Sequence, residues 1–484
     1  MKPANLLFIL SDQHRRDVLG CYGNPLVQTP NLDGLAHDGT RFARAYTNCP
    51  ICVPARASLA TGRHLHQLGN WDNAFPYDGS VPSWGHRLKE QGFTVDSIGK
   101  LHFRSSDDDN GFTREIDPLH VVEGIGDLAG SIRSEPPMRN KRSGIIGAGP
   151  GDSSYLRYDA GNTAQACRWL DERASVEAPW VLFLSYACPH PPYIAPEDLY
   201  DLYPPERIGL PVQWRPEDWP DHPAQRYARQ FRSFDEPFDE TEIRRLSAAY
   251  YALCTYLDKQ VGEVLAALDR NGLRASTRIV YTSDHGECLG ARGLFGKFTM
   301  YEESAAIPLI LSGPDVPACR VVDTPVSLVD CFPTVLEAVG LLPGDEDDDL
   351  PGRSLWRISR EEDWERTVLS QYHAVGSRNA VFMLCDSRYK YVHYVHEPPQ
   401  LFDLERDPHE IEDLSTLPNY QALLERFEGK LRAMLDPEST DAIAKADQRA
   451  KVDAFGGREA VLARGTFDNS PVPGEAPEIR HGSK

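Results

Sequence analysis

Three short stretches in this chain, two of them apolar runs and the third a strand closed by a Gly turn, each end abruptly in side chains that carry charge or bind metal. Asn5-Leu-Leu-Phe-Ile-Leu10 runs into Ser11-Asp12-Gln13-His14, and Ile279-Val-Tyr-Thr-Ser283 into Asp284-His285-Gly286-Glu287. Ser97-Ile-Gly99 gives way to Lys100-Leu-His102-Phe103. Apolar, β-branched runs of this length suit strands buried on both faces. Open α/β sheets gather ligand-binding groups at the carboxyl ends of such strands. Aspartates are rarely buried without a partner, and one divalent cation would satisfy Asp12 and Asp284 together.

The rest of the chain alternates in the same way. Strand signals near 5–11, 94–99, 180–185, 277–282 and 308–312 are interleaved with helical stretches at 81–91, 162–173, 241–270 and 327–339. That alternation predicts an α/β sandwich on a mostly parallel sheet. A length of 484 residues, 41% of them hydrophobic, supports one large core with an appendage. Segment 107–161, rich in Gly, Ser and charge, and segment 203–237, carrying Pro, Trp and several Arg, read as long functional insertions over the sheet. Trp214 and Trp219 in the second are assigned to lid packing. Past an acidic, Gly/Pro-punctuated stretch near 345–352, short strands at 367–372, 381–384 and 389–393 precede a helix at 418–435. The expected units are an α/β domain over 1–365, a small α+β subdomain over 366–440, and a polar tail over 441–484. The tail shows little core potential and reads as a disordered end or an oligomer arm.

The most unusual local pattern is Cys49-Pro-Ile-Cys52-Val-Pro54-Ala-Arg56, followed by Ala/Leu helix formers. Pro54 suits the first turn of a helix, where its missing N–H costs nothing. Cys52 then stands at a positively polarised helix start with Arg56 one turn further in, a place where a nucleophile can meet an anion. A lone cysteine in this position would read as a buried thiol; the three strand ends argue for chemistry instead.

These residues together resemble the formylglycine-dependent sulfatases of the alkaline-phosphatase-like superfamily. Cys52-x-Pro54-x-Arg56 matches the core of that family's modification signature, and Gly92-Phe-Thr-Val-Asp-Ser-Ile-Gly-Lys100-Leu-His102 its second signature. The resemblance continues through Pro189-His190-Pro191, Gly296-Lys297 and Tyr301-Glu-Glu-Ser304 to Leu401-Phe-Asp-Leu-Glu-Arg-Asp-Pro-His-Glu410. Ala55 and Ala60 depart from the usual Ser and Leu of the signature. Gln13 replaces a common Asp and His285 a common Asn, a combination more similar to the choline-sulfatase and phosphonate monoester hydrolase branch.

The resemblance implies an alkaline-phosphatase-like sandwich with a large mostly parallel central sheet and a small C-terminal antiparallel subdomain. It implies that Cys52 is oxidised to formylglycine by a formylglycine-generating or other sulfatase-maturing enzyme. A hydroxyl of the hydrated aldehyde then attacks sulfur, and the second hydroxyl collapses the sulfated hemiacetal to release sulfate. Asp12, Gln13, Asp284 and His285, with the modified Cys52, become the metal ligands; one imidazole among oxygen donors favours Mn²⁺, with Ca²⁺ next. Arg56 neutralises and orients the diol, Lys100 contacts a transferring oxygen, and His102 assists collapse. His190 and Lys297 bind ester oxygens and protonate the departing alkoxide. Asp72 and Asn73, just beyond the nucleophile helix, are candidates to touch the alcohol portion, and Trp71, Asp72 and Tyr77 could cage a quaternary ammonium. Aryl sulfates and sulfated sugars fit equally well. His14, His64 and His66 are assigned structural roles. The expected reaction is hydrolysis of a small sulfate monoester, with a phosphonate monoester or phosphodiester as the alternative. The same branch implies a homo-oligomer.

Charge and cysteine content narrow the remaining classes. A net charge of -21 excludes nucleic acid as a partner, since phosphate contact needs clustered Lys and Arg. Arg56, Lys100 and Lys297 must then build an anion site against that field. The ten cysteines are scattered, with Cys49-x-x-Cys52 the only paired spacing. The first apolar run is too short for a signal peptide and none is long enough to cross a membrane, so the expected compartment is the cytoplasm. A non-catalytic binding protein with an unmodified Cys52 is disfavoured by the intact Cys-Pro-Arg core and strand-end groups.

Overall fold

The computed structural model describes residues 4–362 and 364–480. Its centre is strand β1 (Asn5–Asp12), buried along its whole length. Leu6, Phe8 and Leu10 belong to one hydrophobic cluster, while Leu7 and Ile9 belong to another. This is the alternation a two-faced strand must show.

The other strands of this sheet are β2 (Thr40–Phe42), β3 (Thr94–Lys100), β4 (Arg114–Leu119) and β5 (Trp180–Pro189), then β6 (Thr277–Ser283), β7 (Leu309–Ser312) and β8 (Arg320–Val322). Among the described residues they form an eight-stranded sheet in the order β8-β2-β7-β6-β1-β5-β3-β4. β1 pairs in parallel with β5 and β6, and β3 in parallel with β5 and β4. β7 runs antiparallel to both β6 and β2. The five strands expected from sequence are all present, most of them a residue or more longer than expected. Strands β2, β4 and β8, the last two at the sheet edges, escaped notice because they are short or broken by charge. β4, Arg-Glu-Ile-Asp-Pro-Leu, carries a proline that only an edge tolerates.

Helices cover both faces. α1 (Cys52–Thr61) and α4 (Cys331–Ala338) share a core with Leu6 and Phe8 through Ala57, Leu59, Phe332 and Val335. α2 (Ser154–Arg173) and α3 (Glu240–Arg270) cover the other face through Trp169, Leu170, Leu257 and Val264. A capping box between Asp239 and Glu242 starts α3.

The smaller sheet is four-stranded and antiparallel: β9 (Val368–Tyr372), β10 (Val381–Cys385), β11 (Tyr389–Tyr394) and β12 (Gln400–Asp403). Helix α5 (Gln421–Met434) packs on it through Phe427 and Leu431. Buried Lys390 ties this sheet to the segment between β6 and β7, reaching Glu302 at 2.6 Å, and it also pairs with Glu410 at 2.8 Å.

The tail departs from expectation. Residues after 440 are not a loose polar end: α6 (Pro437–Ala454) and α7 (Gly457–Arg464) pack on the segments around 74 and 128–132. Val452 and Val461 join Ala74, Leu128, Ala129 and Ile132 in one apolar cluster. Sparse apolar residues conceal this packing, since two valines suffice when the loops opposite supply the rest. All ten cysteines are free thiols. Among the described residues no helix is long and apolar enough to cross a membrane.

Candidate active site

The carboxyl ends of β1, β3, β5 and β6 converge above the start of α1. Two local features make the convergence possible. Gly99 has φ 94°, and a Cβ there would lie 2.2 Å from the Ser185 carbonyl oxygen, so only glycine lets β3 approach β5 before Lys100. Helix α1 opens at Ile51 without a side-chain cap of its own; Asn73 Oδ1 instead accepts from Val53 N at 3.3 Å.

Arg56 is the hub. Its Nε donates to Asp284 Oδ2 at 2.8 Å and its Nη2 to Asp12 Oδ2 at 3.2 Å. Nη1 donates to the Lys100 carbonyl at 2.6 Å and to Ser185 Oγ at 3.0 Å. Lys100 Nζ sits 2.7 Å from Asp12 Oδ2. Cys52 Sγ lies 2.8 Å from Lys297 Nζ, 3.1 Å from His285 Nε2 and 3.6 Å from Asp12 Oδ1. Every one of these side chains is buried.

The donor set fits a divalent cation. Donor atoms of Asp12, Cys52, Asp284 and His285 all lie within 4.8 Å of one another. Burial, and then the charge of Asp12, push Asp284 up to about 6. Asp12 is held well below the ordinary range because Lys100, Lys297 and Arg56 outweigh its burial. Two buried carboxylates competing for the same cations form a cradle for one more positive charge. Burial and Lys297 hold His285 well below its usual range, leaving the neutral imidazole a metal requires.

The flanking histidines are neutral for the same reason. Burial, Lys100 and Arg56 depress His102; burial, Lys297 and Lys100 depress His190. His190 Nδ1 meets the Pro191 carbonyl at 2.8 Å, which fixes the proton there and leaves Nε2 as an acceptor. His102 has φ 56°, and its Nε2 meets Ser470 Oγ at 3.0 Å. Its buried Nδ1 has no hydrogen-bond partner among the described residues.

Asp12, Gln13, Cys52, Arg56, Lys100, His102, His190, Asp284, His285 and Lys297 are thus gathered around one point. Gln13 stands beside the cradle, its Oε1 accepting from Lys297 Nζ at 2.8 Å. Asp72 is a correction. Its oxygens accept from Ala74 N, Ser131 Oγ and Gln448 Nε2, each at 2.8 Å, which turns the carboxylate away from the cavity lining. The ammonium cage is not assembled either: Trp71 Nε1 donates to Asp447 at 2.8 Å and Tyr77 to the Val81 carbonyl at 2.7 Å, both rings buried. Asn73 does line the cavity. His14 and His64 are buried structural histidines, and His64 caps a short helix.

Several site residues were missed. Glu287 accepts from Gln13 Nε2, from Tyr193 at 2.7 Å, and from the backbone N–H of Leu289 at 2.9 Å and Gly296 at 2.6 Å. Its position two residues past His285 was the available signal. Asp159 accepts from the N–H of Ala187 at 2.9 Å and Cys188 at 2.7 Å, shaping the turn that presents His190. An acidic residue on the apolar face of a helix was its only trace. Nothing in sequence pointed to Ser470.

A cavity of about 430 Å³ opens over Cys52, His102, His190 and Lys297. Cations converging on one nucleophile position, with a cradle for a metal beneath, are suited to hold a tetrahedral oxyanion and split its ester. On this sheet they define a hydrolase of the alkaline-phosphatase-like class. The chain belongs to the sulfatase family: the family described as Sulfatase matches residues 4–341, and that described as N-sulphoglucosamine sulphohydrolase, C-terminal, matches 290–436. It is a sulfuric ester hydrolase. It is 32% identical to choline-sulfatase of Rhizobium meliloti (strain 1021) over 464 residues, covering 92% of this chain and 90% of that protein. It is 30% identical to arylsulfatase K of Canis lupus familiaris over 466 residues, covering 89% of this chain and 82% of the other. Phosphonate monoester hydrolase from Silicibacter pomeroyi shares the fold, with a TM-score of 0.72 at 24% identity, covering 99% of each chain.

Proposed function

We propose that this protein hydrolyses a small sulfate monoester to an alcohol and inorganic sulfate, with a formylglycine made from Cys52 as its nucleophile. The observation that carries this reading is the placement of Cys52 Sγ between Lys297 Nζ at 2.8 Å and His285 Nε2 at 3.1 Å. Burial and Asp12 push the Cys52 thiol up to about 11, so the unmodified side chain is a poor nucleophile at neutral pH. Sγ marks where the oxygens of the oxidised, hydrated group would stand. Asp12, Asp284 and His285, with Gln13 alongside, would hold the cation; one imidazole among oxygens favours Mn²⁺ over Ca²⁺. When bound, it supplies Lewis-acid charge that makes a hydroxyl at this position acidic.

The chain's own groups do the rest. Arg56 holds both carboxylates in register beneath the nucleophile. Lys297, at 2.8 Å from Cys52 Sγ, and Lys100, at 2.7 Å from Asp12, supply positive charge around it and receive the sulfate oxygens. Lys297 Nζ binds an ester oxygen and carries protons for the departing alkoxide, and His190, with its proton tied to Pro191, flanks it with Nε2 free as a proton acceptor. The unpartnered Nδ1 of His102 takes the proton of the second hydroxyl as sulfate leaves. Maturation by a formylglycine-generating enzyme, assembly as a homo-oligomer and a cytoplasmic setting belong to this reading. Scattered cysteines support the last.

The deciding measurement compares kcat/KM for matched phenyl sulfate and phenyl phosphonate esters, using Mn²⁺-loaded protein with formylglycine confirmed by peptide mass. Sulfate should lead by orders of magnitude. A lead for phosphonate would overturn the sulfate reading and make Gln13 and His285 marks of a phosphonate hydrolase.

A further inference from the structure

One wall of the cavity carries cations that the sulfate position does not use. Arg139 N donates to the Phe231 carbonyl at 2.9 Å and Lys141 N to the Arg232 carbonyl at 3.2 Å. These two bonds lay 139–141 beside 231–232 and bring Arg139, Lys141 and Arg232 to the cavity together. Asp127 answers Arg139 through both oxygens, at 2.6 and 2.7 Å. Asp468 answers Lys141, and also Arg480 at 2.7 Å.

Arg232 is left over. It is 4% exposed, and among the described residues it has no carboxylate partner. Nη1 donates to the Ala228 carbonyl at 3.3 Å and Nη2 to the Val375 carbonyl at 3.1 Å. Two carbonyls use part of a guanidinium's five donors and none of its charge. Leaving a buried charge uncompensated is costly, and in a chain of net charge -21 a carboxylate would be easy to supply. Arg139 adds to the excess, and together with burial it lowers the pKa of Arg232. Glu478, the remaining acid at the cavity, is exposed.

The aromatic faces point the same way. The Arg232 guanidinium lies 4.0 Å from the ring centre of Phe298, the residue after Lys297, and 5.5 Å from that of Phe231. A quaternary ammonium needs such faces open; here they are taken by a cation that would repel it.

We propose that the alcohol portion of the substrate bears its own anionic group, a carboxylate or a second sulfate, received by Arg232 with help from Lys141. The inference rests on the sulfatase reading and narrows it to sulfate esters carrying at least two negative charges.

The test uses formylglycine-confirmed, metal-loaded full-length protein and matched pairs of substrates: 3- and 4-carboxyphenyl sulfate against the corresponding carbamoylphenyl sulfates, with choline sulfate beside them. A carboxylate should lead its carboxamide by about tenfold or more in kcat/KM, the scale of one charge-assisted contact. That ratio should collapse toward unity in Arg232→Gln, and fall partway in Lys141→Gln, a half-exposed site that serves if the first variant folds poorly. Sulfonated phenyl sulfates in the same series distinguish a second sulfate-like group from a carboxylate. Carboxamides equal to carboxylates in both positions, a lead for choline sulfate, or a carboxylate lead unchanged in both variants would each overturn the inference while leaving a sulfatase. Turnover of none of these sulfates would instead sink the sulfatase reading and this inference with it.

Discussion

His102 Nε2 and Ser470 Oγ meet at 3.0 Å across a sequence separation of 368 residues. The same serine accepts from Tyr155 at 2.7 Å through its carbonyl, and the Tyr155 ring lies 5.6 Å from Lys100 Nζ. The tail therefore reaches the candidate site directly and holds the histidine whose other nitrogen has no partner among the described residues. Ser470→Ala should lower kcat by about tenfold with little change in KM, the cost of one buried hydrogen bond. Ser470→Thr should restore most of it. Equal KM and kcat effects, or no rescue by threonine, would mean that the contact only packs the tail.

Glu287 governs how Gln13 presents its amide. With Nε2 donating to Glu287, Oε1 is turned toward Lys297 and the cradle. Glu287→Gln would lose the full charge that accepts from Gln13, Tyr193 and two backbone groups. Divalent-metal affinity, measured by chelator competition, should drop by about 10–100-fold, as for other groups that orient metal ligands. Tyr193→Phe removes only one of these bonds and should drop it less. Unchanged affinity in the glutamine variant would show that Gln13 needs no such support.

Arg56 carries the electrostatic load of the metal-free site. Its removal leaves Asp12 and Asp284 facing each other with only the lysines for company. Arg56→Met should destabilise the metal-free protein by about 3–5 kcal/mol, the range for breaking a buried pair on one side. Added Mn²⁺ should raise the Tm of this variant more than that of wild type, because the cation replaces the lost charge. Equal increments would separate Arg56 from the metal cradle.

His14 predicts a pH signature in stability. It is buried between the Tyr281 hydroxyl at 2.5 Å and the Val18 carbonyl at 3.1 Å, and burial pushes it down to about 4 from 6.5. Between those values the unfolded chain binds a proton that the folded chain refuses. Its contribution is complete above pH 6.5 and is lost on acidification at about 1.4 kcal/mol per pH unit, about 3 kcal/mol in all. In His14→Gln, denaturant unfolding from pH 6.5 to 4 should show a slope shallower by roughly one proton. An identical slope would mean that His14 takes up its proton in the folded state.

The convergence of the candidate site residues was legible because they lie where two sequence rules meet. β1, β3, β5 and β6 announce themselves as apolar runs, and the polar residues directly after them fall at one end of any parallel sheet. Cys52 and Arg56 were legible from Pro54 and the helix formers beyond it. Asp72 misled because its closeness to Asn73 in sequence suggested a shared role. A one-residue step turns one side chain into the cavity and the other toward Ser131 and Gln448.

What the sequence determined alone was the list of strand ends, the helix start that places Cys52 and Arg56, and the kinds of group delivered there, since each depends on a few adjacent residues. What only the tertiary structure decided was everything held by separation: Ser470 against His102, Glu287 beneath Gln13, and Arg232 left without a carboxylate beside Phe298. Those contacts join segments through burial and charge balance. Neither quantity is a property of any local stretch, because each depends on which distant groups are brought to the same place.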